Sequence, residues 1–196
     1  MTKGLFIVFE GIDGSGKSTQ MSMLKDYFEQ KGNDVILTRE PTDGIIGELI
    51  WRYAESHKRN LRPETEALLF AADRAEHSRV IQSAREEGKI VLSDRYLHSS
   101  LAYQGAAGVD QGWIRELNKH ALRPDLVILL DIDPEHSLNR VTYRDKTVFE
   151  EGAYLRKVRE IYRRYAEKGE LVSIDATQSI EVVQTEIRGI IEDQLT

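Results

Sequence analysis

The sequence predicts an α/β fold, a parallel sheet of five strands flanked by helices. Three observations predict it. Five short apolar runs alternate with longer helical stretches along the 196 residues. The runs show little polar alternation, as strands buried on both faces do. Glycines stand where helical stretches give way to strands, at the left-handed C-cap position.

The elements follow in order. Leu5–Phe9 is the first strand, and Lys17–Lys31 the helix behind it. Gly32 ends that helix before the strand Val35–Leu37. Gly44–Ser56 and Pro63–Glu87 are helical, and Gly88 separates the second from the strand Ile90–Leu92. Leu126–Leu130 is the fourth strand. Pro134 follows Asp133 as a first-turn proline behind an N-cap, opening a helix to Arg140. Glu150–Lys168 is helical, Gly169 precedes the strand Leu171–Ile174, and a last helix runs from Ile180 to about Asp193. The basic cluster Arg156–Arg164, interrupted by Glu160, reads as a solvated helix face. No repeat, low-complexity tract or long linker divides the chain, so residues 1–196 are expected to form a single domain.

Composition narrows the function. A hydrophobic fraction of 40% and a charged fraction of 31% suit a globular protein rather than a disordered one. With no cysteine, disulfides, a thiolate nucleophile and a Cys-bound metal are excluded. The net charge of −6 argues against broad nucleic-acid binding, but leaves room for a small anion in a local basic pocket. The apolar run near the N-terminus is too short for a signal peptide or a membrane span, so a cytoplasmic setting is expected.

Gly11-Ile12-Asp13-Gly14-Ser15-Gly16-Lys17-Ser18 matches G-x-x-x-x-G-K-[ST], and Thr19 follows it. It lies after a predicted strand and opens a predicted helix, the context a phosphate-binding loop requires. Glycines let backbone N–H groups converge on phosphates, and the helix N-terminus adds partial positive charge. Lys17 is expected to reach the β/γ-phosphates of a nucleotide, and Ser18 to ligate Mg²⁺. A carboxylate at a neighbouring strand end completes such a metal site. Asp94 and Asp131 both qualify, and periodicity does not choose between them.

Beyond the third strand the chain reads Asp94-Arg95-Tyr96-Leu97-His98-Ser99-Ser100-Leu101-Ala102-Tyr103-Gln104. Ligands of open α/β sheets bind past the carboxyl ends of strands. An arginine there can clamp a phosphate with its planar fork of donors. This run resembles the D-R-Y-x-x-S-x-x-A-Y-Q signature of the thymidylate kinases, which phosphorylate dTMP with ATP. GIDGSGKST at Gly11–Thr19, TREP at Thr38–Pro41, LLFAADR at Leu68–Arg74, LDIDPEHSLNR at Leu130–Arg140 and SIDAT at Ser173–Thr177 extend the likeness over nearly the whole chain.

The resemblance implies a three-layer P-loop kinase fold and a set of roles. Phe70 stacks on thymine and Arg74 hydrogen-bonds a base carbonyl. Their spacing of four puts them on one helix face. Arg39 and Arg95 clamp the monophosphate. Asp13 lies near the sugar 3′-hydroxyl, and Tyr103 crowds the 2′ position. Ser99, Ser100 and Gln104 add polar contacts. Asp94 becomes the Mg²⁺-side carboxylate and Asp131 a structural one. His98 has no role beyond that of a surface or satisfied histidine. The family usually forms homodimers. Here the helices Gly44–Ser56 and Pro63–Glu87 are the candidates, although Ile45, Ile46, Leu49, Ile50 and Tyr53 could equally fill the monomer core.

One charge is missing from the loop. Phosphoryl transfer needs cations around the migrating group. Some members of the family carry a basic residue where this chain has Gly14. Members without it carry arginines in a lid over the donor. The polar stretch Arg140-Val141-Thr142-Tyr143-Arg144-Asp145-Lys146 is therefore expected to begin a lid covering about 140–150. Arg140 belongs to the helix end, Arg144 reaches the transferred phosphoryl, and Lys146 is a second candidate.

Two other readings compete: another P-loop kinase, for deoxynucleosides or a different nucleoside monophosphate, and a nucleotide-dependent switch or inactive homologue acting as a binding protein. A deoxynucleoside kinase has an acceptor without phosphate, and would not need both Arg39 and Arg95. A GTPase carries N-K-x-D, but Asn118-Lys119-His120-Ala121 lacks the aspartate that reads guanine. Asn118 and Lys119 are then helix-surface residues.

Overall fold

The computed structural model describes residues 4–56, 60–138 and 152–195. Its strands are β1 (Phe6–Glu10), β2 (Val35–Arg39), β3 (Ile90–Asp94), β4 (Leu126–Asp131) and β5 (Val172–Asp175). The helices are α1 (Lys17–Gln30), α2 (Ile45–Glu55), α3 (Pro63–Glu86), α4 (Leu97–Ala106), α5 (Gln111–Leu117), α6 (Pro134–Leu138), α7 (Gly152–Glu167) and α8 (Ile180–Leu195). The sequence pattern does not mark helix α4, and it marks α5 only through Asn118 and Lys119. Asp110 caps α5 by accepting the Trp113 amide at 2.7 Å. No helix among the described residues is long and apolar enough to cross a membrane.

All five strands pair in parallel, in the order β2-β3-β1-β4-β5. Phe6 of β1 aligns with Val91 of β3, and Ile7 with Leu126 of β4. β1 is thus central, and every one of its residues is buried, including the terminal Glu10. The edge strands β2 and β5 are only partly covered.

Strand order and the right-handed crossover rule fix the layers. The chain leaves β1 through α1 toward β2, but leaves β3 through α4 and α5 toward β4, in the opposite direction. Accordingly α1 packs with α8, while α3, α4 and α7 form a separate contacting group. α1 buries Met21, Leu24 and Phe28, and α7 buries Leu155, Val158, Ile161, Tyr162 and Tyr165, each set one apolar stripe. Because the adjacent strands β1 and β3 send their chains opposite ways, a crevice opens at their carboxyl ends.

Local chemistry supports these elements. Gly32, Gly88 and Gly169 have φ of 82°, 81° and 74°, as expected of left-handed caps. The amide of Glu135 donates to Asp133 Oδ1 at 3.0 Å, the predicted cap ahead of Pro134. Ahead of β4, Asp125 accepts the Phe6 amide at 2.7 Å and pairs with Arg85 at 2.6 Å. That pair ties the starts of β1 and β4 to the end of α3.

Candidate active site

β1 runs into the loop Gly11–Gly16, and α1 begins at Lys17. Gly11 has φ 139°, and a Cβ there would lie 2.7 Å from the Leu130 carbonyl oxygen. Gly14 and Gly16 are also at positive φ, 78° and 95°. Only glycine takes such conformations without strain. Lys17 folds over the loop, its Nζ donating to the carbonyls of Gly11 and Ile12 at 3.2 Å each. It also lies 3.7 Å from Asp94 Oδ1 at the end of β3. Burial, reinforced by Arg95 nearby, draws the Lys17 ammonium below its ordinary pKa. Ser18 and Thr19 are exposed on the first turn of α1.

Arg95 follows β3 with φ 71°, the only non-glycine residue at positive φ among the described residues. Its guanidinium fans out over three partners. Nη2 donates to Asp13 Oδ1 at 2.7 Å and to Tyr103 Oη at 3.1 Å, and Nη1 donates to Ser99 Oγ at 3.1 Å. Arg95 holds the Asp13 carboxyl at about 2, well under its ordinary 3.8. Burial pushes the Tyr103 phenol far above its usual range, so its hydroxyl keeps its proton.

Next to these groups lies a cavity of about 170 Å³. Asp13, Arg95, Ser99 and Tyr103 contribute to its wall, as do Phe70, Arg74, Ser100 and Gln104. Pro41, Ile50, Trp51 and Leu69 make other parts apolar. Arg74 is almost wholly buried. It pairs with Glu40 at 2.6 Å and donates to Asn118 Oδ1 at 2.7 Å, Ser100 Oγ at 3.0 Å and the Tyr96 carbonyl at 3.1 Å. Its Nε has no hydrogen-bond partner among the described residues.

The family model for thymidylate kinase matches residues 9–187. The chain belongs to the thymidylate kinase family. A relative from Thermococcus gammatolerans is 47% identical over 203 residues, covering 98% of each chain. One from Methanocaldococcus jannaschii is 43% identical over 194 residues, again covering 98% of each. A third, from Pyrobaculum aerophilum, is 46% identical over 95% of this chain and 96% of its own. All three carry the description probable thymidylate kinase. As a thymidylate kinase, the chain is an ATP-dependent phosphotransferase that acts on dTMP.

Most residues expected in a thymidylate kinase site converge. Of those assigned to the acceptor, only Arg39 stays out of the cavity wall. It is exposed, pairs with Asp43 at 2.7 Å, and stacks 5.1 Å over the ring of Trp51, which does line the cavity. Phe70 lines the cavity and lies outside the buried core cluster, so it is not a core aromatic. Asp131 is held by Arg159 at 2.7 Å and 3.1 Å, whereas Asp94 faces the loop lysine, Lys17, at 3.7 Å. Arg140, Arg144, Lys146 and the whole of the expected lid, 140–150, lie outside the described residues.

Two sequence expectations need correction, and one open choice, at His98, is resolved. Asn118 is not a surface residue: it is buried as the C-cap of α5 and fixes Arg74, whereas Lys119 is exposed and pairs with Glu116. Arg159 leaves the solvated face of α7 to bind both Asp131 and Asp133, each at 2.7 Å. His98 is buried beside Glu170 at 3.4 Å, and burial lowers its pKa, so it is a satisfied histidine rather than a surface one. Glu10, Glu40, Trp51, Tyr154 and Tyr162 carry no role in the sequence pattern, yet all five touch the site. Glu10 carried a readable signal: it is a carboxylate ending an otherwise apolar strand, directly before the loop.

The Asp13–Arg95 pair sets a pH dependence. Its folded-state pKa of about 2 lies below the ordinary 3.8. The stabilisation is therefore complete above the ordinary value and disappears as pH falls through the folded one. The stability difference between wild type and Asp13→Asn, from urea unfolding, should stay constant above about pH 5 and shrink steadily toward pH 2. A gap independent of pH across that window would remove the pair as its source.

Proposed function

We propose that dTMP fills the cavity beside Arg95 and that the ATP phosphates lie along the Gly11–Thr19 loop. The observation that carries this reading is a single wall joining the Arg95–Asp13 pair to Phe70 and Arg74, beside Lys17. Arg95 supplies a fork of donors for the 5′-phosphate, with Arg39 at the cavity rim as the second cation. Phe70 offers a face for the flat base, and Arg74 Nε is the buried donor left for a base carbonyl. Asp13 meets the 3′-hydroxyl. Tyr103, fixed by Arg95, occupies the space a ribose 2′-hydroxyl would need.

The residues present also fit Mg²⁺. Asp94 Oδ1 is buried without a hydrogen-bond partner among the described residues, and Ser18 is exposed on the opening turn of α1. These two would hold the ion. Such a small protein share suits a metal that keeps waters and binds phosphate oxygens. When bound, Mg²⁺ supplies charge neutralisation at the β- and γ-phosphates. Lys17 adds a second charge from the loop, and its proximity to Asp94 keeps both groups at one place.

A coupled ADP-release assay across dTMP, dUMP, dCMP and thymidine tests the acceptor. dTMP should be fastest. dUMP, one methyl smaller, should fall short by about 10- to 200-fold in kcat/KM. Thymidine should give no turnover, because it offers no phosphate to Arg95; faster turnover with thymidine than with dTMP would make the protein a nucleoside kinase.

Gly14 brings no charge to the transfer centre, and we assign that charge to Arg144. Arg144→Ala should lower kcat by about 10³-fold or more with little change in KM for either nucleotide. An unchanged kcat would transfer the role elsewhere.

The proposed state is a homodimer formed through α2 and α3. Core packing does not account for the apolar side of α2: Ile45 is 88% exposed and Leu49 48%. On α3, Leu68 and Val80 are 49% and 57% exposed. Light scattering at micromolar concentration should return a dimer mass for wild type and a monomer mass for Ile45→Glu/Leu49→Glu. A monomeric wild type would overturn the assignment.

A further inference from the structure

Arg95 keeps a left-handed backbone that a side chain rarely adopts, φ 71°. Such a conformation persists only where its surroundings over-determine it. Here the Arg95 amide donates to the Phe9 carbonyl at 2.8 Å, and Ser93 Oγ donates to the Arg95 carbonyl at 2.8 Å. The remaining restraint comes from Glu10. This residue is fully buried at the end of β1, and it does not line the acceptor cavity.

Four donors converge on its carboxylate. Oε1 accepts the amides of Tyr96 at 3.0 Å and Ser99 at 3.1 Å. Oε2 accepts the Ser99 hydroxyl at 2.6 Å and the Tyr162 hydroxyl at 2.9 Å. Those contacts fill the acceptor capacity of a carboxylate. No oxygen is left for a metal ion or for a substrate proton. The next link is to Arg95 itself: Ser99 Oγ spends its proton on Glu10 and accepts Arg95 Nη1 at 3.1 Å. Burial keeps the Tyr162 phenol protonated, so it stays a donor.

We propose that Glu10 is the positioning residue for Arg95, aiming its guanidinium at the acceptor phosphate through Ser99 and the Tyr96 amide, with Tyr162 completing the hold. This inference rests on the reading that Arg95 clamps that phosphate. An amide at position 10 would remove the charge and present an N–H donor to two hydroxyls, forcing Ser99 and Tyr162 to turn their protons away and Ser99 Oγ to accept from both that amide and Arg95. Misdirection of Arg95 should harm phosphate recognition and spare the nucleoside part of the ligand.

The test compares the dissociation constants of dTMP and thymidine for Glu10→Gln, Tyr162→Phe and Arg95→Ala. Arg95→Ala is the reference and should weaken dTMP while leaving thymidine unchanged. Tyr162→Phe keeps the ring and removes one hydroxyl, so it carries the test even if Glu10→Gln folds poorly. It should weaken dTMP about fivefold, the size of one lost hydrogen bond, with thymidine and the KM for ATP unchanged. Glu10→Gln should show the same pattern more strongly. Equal loss of dTMP and thymidine in both variants, or no loss in either, would overturn the positioning role. Should Arg95→Ala itself weaken both ligands equally, the clamp reading fails instead, and the two failures are distinguishable.

Discussion

Charge compensation in the crevice at the ends of β1 and β3 is the constraint on which the rest of this molecule depends. Lys17 opens α1 past the end of β1 and Arg95 follows the adjacent β3, and Arg95 disfavours the charge on Lys17. Asp94 and Asp13 face them at 3.7 Å and 2.7 Å, and Glu10 closes the crevice from behind. Carboxylates outnumber cations here, although the intended ligands are themselves anions. Gly14 adds no charge to the loop. The parallel order that places β3 beside β1 is what brings these groups together.

A second frame comes from α7. Tyr154 donates to the Tyr103 carbonyl at 2.6 Å, Arg159 grips Asp131 and Asp133, and Tyr162 reaches Glu10. One helix thereby touches the ends of β1 and β4 and the body of α4. The acceptor site is consequently not a local pocket added to a sheet. It is a place where three layers of side chains must agree, and a shift of α7 would reach Arg95 through two hydroxyl groups.

The sheet was legible because strands buried on both faces leave continuous apolar runs, and glycine marks the joints between elements. The phosphate loop was legible because its chemistry is local: glycines, a lysine and a helix start in one run. Helix α4 was hidden, since Leu97–Ala106 is rich in small and polar residues whose partners lie elsewhere in the fold. Asn118 looked like a surface residue because its ligand, Arg74, is distant in sequence and close only after folding. Arg159 could not be told from its exposed neighbours Arg156 and Arg163 without knowing which side of α7 faces Asp131. Acceptor residues were gathered by resemblance to a family, and the cavity gives most of them a common wall.

The close approach at Gly11 bears on how this site tolerates change. The atom that a Cβ would strike is the Leu130 backbone oxygen, not a side chain. Most unfavourable substitutions can be relieved by trimming a neighbour, so they leave second-site suppressors to be found. A backbone oxygen cannot be trimmed. In a genetic selection, a lesion at Gly11 should therefore revert to glycine far more readily than it acquires a compensating mutation elsewhere.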